Sequence, residues 1–409
     1  MKIEELENKR ILIVGYGKEG KATEAFLKKY VPTAHITIVD ESQGEDYLNS
    51  QKDFDIAIKS PGVYPEYITI PHTTATNIFF SQVQGMTIGI TGTKGKSTTT
   101  SLIYAMLKEE GKRVHLVGNI GTPLLTELLR SNTKEDIWVC ELSSYQLGDL
   151  EYSPHIGVMV SLFPEHMNYH HSIEAYYKAK SQIVAHMTKE DYFVYNPAFG
   201  EIEAFTKNTK ATRIPFLETL PFSQADIPLL GKHNYDNIRA AFTVAKLLHV
   251  SEAAIRQAVV TFQPLRHRLQ NIGTFNGITF YDDAISTTPQ SAIAALTTIP
   301  HVGSLMLGGQ DRGYDFTPLI DVLEKYKIPT LIFFPESGTT MKELLEKRGV
   351  STQCVLETSS MEEAVKYAYA NTPKGMTCLL STASPSYTIW KNFEEKGNEF
   401  QKWVKGLGK

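Results

Sequence analysis

Cysteine is scarce in this chain of 409 residues: there are three, Cys140, Cys354 and Cys378. They are widely spaced and odd in number, which argues against a disulfide framework and against a zinc cluster, and fits a reducing cytoplasm. Charge of one sign is lacking too. The 41 Lys and Arg against 45 Asp and Glu leave a formal net charge of −4. No global field therefore draws the chain to nucleic acid or an anionic membrane, and any polyanion binding has to be local to a pocket. No run approaches the roughly 18 apolar residues of a membrane span. The opening MKIEELENKRILIVG carries charges every few residues, where a signal peptide needs an apolar stretch. Internal repeats, heptads and low-complexity linkers are missing as well.

What is present is a recurring pattern of strand, polar or glycine turn, and helix, so the fold class is α/β with mostly parallel sheets. At about 150 residues per domain the length suggests two or three domains, and three is the working number. Pattern restarts place them at 1–85, 86–263 and 264–409. The first opens with RILIVGYGKEGKATEAFLKKY and HITIVDES, a βαβ unit; the last restarts at GITFYDDA. Functional groups are expected where the parallel strands end.

The stretch GITGTKGKSTTT at 89–100 carries the first chemistry. A strict phosphate loop has Gly, four residues, then Gly-Lys-Ser/Thr, but the residue five before Gly95 is Ile90. The physical content survives. Gly92 and Gly95 let backbone N–H groups turn inward, Lys96 can reach outer phosphates, and the Ser97 hydroxyl can ligate Mg²⁺. MTIGI reads as the preceding buried strand and STTTSLIYAMLKEEG as the following helix, a setting suited to an anion. A ligand-free turn is the competing reading; Lys96 and Ser97 add charge and metal chemistry that packing does not need.

In the first domain Gly15, Gly17 and Gly20 form G-x-G-x-x-G directly after a strand, with Asp40 and Glu41 about 20 residues on. That spacing suits a diphosphate on the helix N-terminus and a ribose hydroxyl on the acid, and Lys18 and Lys21 favour a phosphate-bearing ligand. Tight packing without a ligand remains open. KSPGVYP, with Ser60 and Gly62 around Pro61, is a second wall of that pocket or a surface loop. Glu141 ends the strand IWVC, where a carboxylate could hold Mg²⁺. FPEHMNYHH offers His166, His170 and His171, but no second ligand cluster supports zinc, and magnesium is preferred. Lys180 lies on a helix with Lys178 on another face. A solvated lysine is the ordinary reading. In a closed site, desolvation and a neighbouring cation would leave a neutral amine able to react with CO₂ or bind phosphate.

TGTKGKSTT, VGNIGTP, CELSSYQL, EHM, YYKAK, LLGKHNYDNIRAA, LRHR, YDDAISTTPQSAIAAL, LGGQDRG and SPSYTIWKNFEEKG resemble, in order and spacing, the signatures of the Mur ligases over nearly the whole chain. ELSSYQL and WKNFEEKG resemble the glutamate-adding branch. The resemblance implies three domains, a Rossmann-like N-terminal one, a central P-loop ATPase-like one and a Rossmann-like C-terminal one. They would bind in turn a uridine diphosphate, ATP and the amino acid. The implied reaction belongs to peptidoglycan precursor synthesis. The carboxylate of UDP-N-acetylmuramoyl-L-alanine takes the γ-phosphoryl group of ATP, and the amine of D-glutamate displaces phosphate. The implied cofactors are ATP and two Mg²⁺ ions. The partners are small molecules, without nucleic acid or membrane, and the chain is expected to be a cytoplasmic monomer.

By resemblance Lys96, Glu141, His166 and Lys180 are catalytic. Ser97, Glu141, His166 and a carbamylated Lys180 would hold metal. ATP is expected on Gly92, Thr93, Lys94, Gly95, Lys96, Ser97 and Thr98, with Asn237, Arg268 and Asp283 at its adenine and ribose. Gly15, Tyr16, Gly17, Lys18, Asp40, Ser60, Gly62, Asn119 and Ser143 are expected at the UDP-muramoyl-alanine. Thr287, Arg312, Ser386 and Phe393 are expected at glutamate. The chain departs from the family pattern at Lys94, Asn168, Ile285 and Arg312, where Asn, Asp, Lys and Lys are usual. An arginine fork still grips a carboxylate, with altered geometry. L-Glutamate is therefore an alternative, and a folylpolyglutamate-synthase-like ligase a more distant one. A dehydrogenase reading of G-x-G-x-x-G is opposed by the loop around Lys96, and a non-enzymatic nucleotide-binding module by Glu141, His166 and Lys180 together.

Overall fold

The computed structural model describes residues 2–223, 227–350 and 353–408. The chain divides into two compact units, with the break between Phe262 and Gln263.

The first unit contains two sheets. One is built from β1 (Arg10–Val14), β2 (His35–Val39), β3 (Ile56–Lys59) and β4 (His72–Thr74), in the order β2-β1-β3-β4 and parallel throughout. The other contains β5 (Met86–Thr91), β6 (Val114–Gly118), β7 (Ile137–Glu141), β8 (Ile156–Met159), β9 (Tyr192–Tyr195) and β10 (Thr212–Pro215). Its order is β10-β9-β8-β5-β7-β6, again all parallel. Parallel strands are covered by helices on both faces, so their sequences are continuous apolar runs rather than alternating ones; RILIV, IAIK and IWVC are of this kind. The chain leaves β5 for β6 on one side of the sheet and leaves the adjacent β8 for β9 on the other. The crevice beyond the C-terminal end of β5 is thus a topological switch point, the usual ligand position in an open α/β sheet. A continuous apolar core joins the two sheets, with Phe79 edge-on to Trp138 at 5.4 Å.

The second unit contains β11 (Gln270–Phe275), β12 (Ile278–Asp282), β13 (Val302–Gly308), β14 (Thr330–Phe334), β15 (Cys354–Glu357) and β16 (Thr377–Leu380). Their order is β11-β12-β16-β13-β14-β15, parallel except for the β11–β12 hairpin. That hairpin turns on Asn276 and Gly277, both at positive φ, as a two-residue Asn-Gly turn requires. Among the described residues no helix is long and apolar enough to cross a membrane.

One buried charge supports the first unit away from its strand C-termini. Asp136, fully buried just before β7, accepts from Thr133 N (2.7 Å), Ser131 Oγ (2.9 Å) and His115 (2.9 Å) and pairs with Arg113 at 2.7 Å. Burial opposes its ionisation, but the hydrogen bonds outweigh burial and hold its pKa down at about 2. The depressed value means that the stabilisation is complete above the carboxyl's ordinary pKa and is lost as pH falls from about 4 through about 2. Asp136→Asn is expected to cost about 2 kcal/mol at pH 7 and nothing near pH 2. Denaturant midpoints of the two proteins across that range check this.

Candidate active site

The loop after β5 is shaped by glycine and clamped by β8. Gly92 has φ +152° and Gly95 φ +86°. A Cβ at Gly95 would lie 2.3 Å from Asn237 Oδ1 and 2.9 Å from Val160 Cγ1, so glycine is needed for space as well as for conformation. Ser161 Oγ accepts from Lys94 N and donates to Lys94 O, each at 2.9 Å, and Ser161 O accepts from Thr93 N at 2.9 Å. Thr93 Oγ1 donates to Phe163 O (3.0 Å) and accepts from Tyr176 Oη (3.0 Å). The loop therefore leads into the Lys96–Glu109 helix with Ser97 and Thr98 buried in its first turn. Asn237, on the Lys232–Leu247 helix, lies directly against Gly95 and accepts from Thr99 Oγ1 at 3.4 Å.

Two amines meet one carbonyl at this loop. Lys96 Nζ donates to Gly92 O at 2.9 Å and Thr93 O at 3.0 Å. Lys180 Nζ donates to the same Gly92 O at 3.0 Å and lies 3.4 Å from Thr91 Oγ1. Lys180 is 1% exposed and sits 5.0 Å over the Tyr176 ring, whereas Lys178 on the same helix is exposed. Burial first, and then the Lys96 charge, hold the Lys180 amine well below the ordinary lysine pKa. Lys94 pairs with Glu165. Burial raises the Glu165 pKa, but the Lys94 charge outweighs it and keeps this acid ionised.

Two further groups lie at this end of the sheet. Burial, with the Lys96 charge, lowers the His166 pKa to about 4 against the opposing Glu165 carboxylate 3.6 Å away. His166 is thus a neutral imidazole at pH 7, with a lone pair to offer. Glu141, at the end of β7, is 1% exposed; its Oε1 accepts from Asn119 Nδ2 at 2.8 Å, while Oε2 is buried without a hydrogen-bond partner. An unpaired buried carboxylate oxygen is costly and suits a cation. Hard oxygen donors from Glu141 and Ser97 fit Mg²⁺. The other two histidines diverge: His170 Nε2 is 2.9 Å from Ser144 Oγ and His171 Nε2 is 3.1 Å from Glu66. Among the described residues no three His, Cys, Asp or Glu groups gather as a metal cluster.

At the first sheet, the ends of β1, β2 and β3 bring three predicted groups together. Ser60 Oγ donates to Gly15 O at 2.8 Å, and Tyr16 N donates to Asp40 Oδ2 at 2.7 Å. Asp40 also accepts from Ser42 N (3.1 Å) and Oγ (2.7 Å), so its carboxylate is already engaged in ordering this turn. The N–H bond from Tyr16, followed by those from Ser42, lowers its pKa. Gly17 caps the Lys18–Tyr30 helix, Lys18 is exposed, and the Cβ positions of Gly17 and Gly62 face open space. Ser143 caps the Ser144–Leu147 helix, its hydroxyl bonded to Gln146 Oε1 at 3.0 Å.

In the second unit Asp283, Thr287, Arg312 and Ser386 lie on loops after the adjacent strands β12, β13 and β16, while Arg268 precedes β11. Asp283 is buried and accepts from Ser381 Oγ (2.9 Å) and Leu269 N (3.1 Å); burial outweighs these and raises its pKa to about 7. Arg268 contributes a charge opposing that rise. Thr382 Oγ1 lies 3.2 Å from Ser286 O, next to Thr287, and Gln310 N donates to Pro385 O at 2.8 Å. Arg312 stands 5.8 Å over the Tyr387 ring. Ser386 Oγ is buried without a hydrogen-bond partner, and Phe393 starts the final helix, Phe393–Leu407. Several residues not singled out in the sequence prove central. Glu165, Ser161 and Tyr176 hold the loop around residue 95, and Lys396 donates from the final helix to Thr382 Oγ1 at 2.5 Å. Glu165 and Lys396 stand inside EHM and WKNFEEKG, polar stretches in which no local pattern sets either residue apart.

Solved structures share this architecture. The UDP-N-acetylmuramate-alanine ligase MurC of Thermotoga maritima matches with a TM-score of 0.63 at 17% identity, covering 98% of this chain and 100% of that one. The Thermotoga maritima MurF ligase in complex with ADP matches at 0.62 and 14% identity, covering 99% and 97%. These establish the fold, an α/β arrangement of mostly parallel sheets. A family model described as the Mur ligase middle domain matches residues 90–219. A UDP-N-acetylmuramoylalanine–D-glutamate ligase of Oenococcus oeni is 32% identical over 98% of this chain and 97% of its own length. One of Streptococcus agalactiae serotype III is 34% identical over 96% of each. The chain belongs to the Mur ligase family.

Proposed function

We infer that this chain joins D-glutamate to UDP-N-acetylmuramoyl-L-alanine at the expense of ATP, in peptidoglycan precursor synthesis. The observation that carries this reading is the convergence of Lys96 and Lys180 on Gly92 O, beside a buried Glu141 with one unpaired oxygen. Full-length relatives named for this activity set the substrate.

The acceptor's alanyl carboxylate attacks the γ-phosphorus of ATP and ADP leaves. The glutamate amine then attacks the acyl carbon, loses a proton, and expels phosphate. Lys96 would turn from Gly92 O and Thr93 O to the outer phosphates, neutralising charge during transfer. Glu141, Ser97 and His166 would hold Mg²⁺. Bound there, the metal would neutralise phosphate charge and orient the transferring group. The neutral Lys180 amine can add to CO₂ and release a proton, converting a buried base into an anionic carbamate able to support a second Mg²⁺. In the first unit Asn237 would hold the adenosine; Arg268 and Asp283 keep the nucleotide role that the family resemblance implies. The turn of Gly15, Tyr16, Gly17 and Lys18, with Asp40, Ser60 and Gly62, takes the uridine diphosphate. Asn119 and Ser143 take the muramoyl-alanine portion.

The three sheets are assigned as three domains, at 1–85, 86–263 and 264–409, of a cytoplasmic monomer. In the last, Thr287, Arg312, Ser386 and Phe393 would hold glutamate, with the Arg312 fork on a carboxylate and the unpartnered Ser386 hydroxyl as a second polar contact. The test is phosphate release from ATP and Mg²⁺ with UDP-N-acetylmuramoyl-L-alanine, comparing D- and L-glutamate. Release with D-glutamate is expected. Release with L-glutamate alone would reassign the enantiomer, and release with neither would end this reading.

A further inference from the structure

Tyr169 stands between the two ends of the site in the first unit. Its hydroxyl donates to Pro61 O at 3.1 Å and Val63 O at 3.2 Å, carbonyls of the turn that carries Ser60 and Gly62. Burial raises its pKa, so it stays protonated and remains a donor. Its ring stacks on Tyr64 with centroids 4.7 Å apart and planes at 22°, and meets Tyr145 edge-on at 4.4 Å. Tyr145 in turn lies 5.2 Å from His166. Tyr64 Oη returns to Asn168 O at 3.3 Å, closing the connection between the same two segments. A series of rigid rings thus runs from the β3 turn to the imidazole beside Lys96 and Lys180. Aromatic side chains have few rotatable bonds, so such a series holds a separation that flexible chains would not.

That separation has chemical meaning. The acceptor is held at one end by its nucleotide and reacts at the other through its alanyl carboxylate. A displacement of about 1 Å between the ends can cost about 100-fold in rate. We propose that Tyr169 is a positioning residue that sets the distance from the acceptor's nucleotide pocket to its reacting carboxylate. This rests on the assignment of the uridine diphosphate to the turn at Ser60 and Gly62. Tyr169 is not the turn's only anchor. Lys59 donates to Val63 O at 3.3 Å and pairs with Asp149 at 2.7 Å, so the turn stays folded without the tyrosine hydroxyl.

The test uses the full chain with Tyr169→Phe, which keeps the rings and removes the hydroxyl, and Tyr169→Leu, which removes both. Two acceptors are compared, UDP-N-acetylmuramoyl-L-alanine and the sugar 1-phosphate lacking uridine monophosphate. Tyr169→Phe should raise KM for the nucleotide acceptor about fivefold, the effect of one lost hydrogen bond. Tyr169→Leu should raise it about 20-fold or more as the ring contacts go too. KM for ATP and glutamate should stay within about twofold of wild type, because neither spans the two segments. With the truncated acceptor the variants and wild type should converge, since nothing then ties the sugar to the nucleotide pocket. Equal losses on both acceptors, parallel rises in every KM, or no change in Tyr169→Phe would overturn the proposal while leaving the ligase reading intact. A wild-type chain inert toward both acceptors would overturn the two together. Should Tyr169→Leu fail to fold, Tyr169→Phe decides alone.

Discussion

Lys180→Met is expected to abolish acceptor-dependent phosphate release, by about 10³-fold or more, while leaving the melting temperature unchanged or raised. The two effects have separate causes. The side chain is fully buried beside Lys96, with which it shares Gly92 O. A buried amine near a like charge is costly to the fold, and an apolar chain of similar length removes that cost. On the proposed carbamylation, activity is lost because methionine can neither add CO₂ nor supply an anion for a second metal; a reacting-site charge group is worth several kcal/mol at the transition state. Lys180→Arg should fail equally, since guanidinium stays protonated. Wild-type activity should fall in CO₂-depleted buffer and return with bicarbonate. Full activity in Lys180→Met would remove this residue from the chemistry.

Lys96→Ala carries the second large effect. Lys96 donates to two neutral carbonyls of its own loop, Gly92 O and Thr93 O. These are contacts that a triphosphate can replace. Loss of one preorganised charge stabiliser typically costs 10²–10³ in kcat, about 3 to 4 kcal/mol. The expected result is that order of loss in single-turnover phosphate release. ATP affinity should change much less, because the clamp by Ser161 and Thr93 and the packing of Asn237 on Gly95 remain. A fall in ATP affinity that accounts for the whole loss would make Lys96 a binding residue only.

The alternation of strands and helices was legible because parallel strands buried on both faces leave unbroken apolar runs, and glycine turns punctuate them. The loop at Gly92–Ser97 was legible despite breaking the strict motif, since Lys96, Ser97 and the strand–turn–helix setting carry its physics. Other features depend on distant pairings. No local pattern shows that Asn119 Nδ2 reaches Glu141 Oε1, or that Lys180 and Lys96 meet at Gly92 O. The order β8-β5-β7-β6 makes these encounters. Asp40 was legible as a strand-end acid, but its carboxylate proves to be engaged with Tyr16 N and Ser42, which spacing to the glycine turn could not reveal. Glu165 and Tyr169 lie in a stretch whose three histidines are its most conspicuous chemistry. Only their partners, Lys94 and the Pro61 and Val63 carbonyls, show what they do.

The central claim is that this loop brings the terminal phosphoryl group of ATP to the acceptor's own carboxylate. It is tested most directly with UDP-N-acetylmuramoyl-L-alanine labelled with ¹⁸O in the alanyl carboxylate, supplied with ATP, Mg²⁺ and D-glutamate. Mass spectrometry of the released phosphate should find one ¹⁸O atom, carried over when the amine displaces the acyl phosphate. Phosphate formed in step with product but free of label would contradict the account.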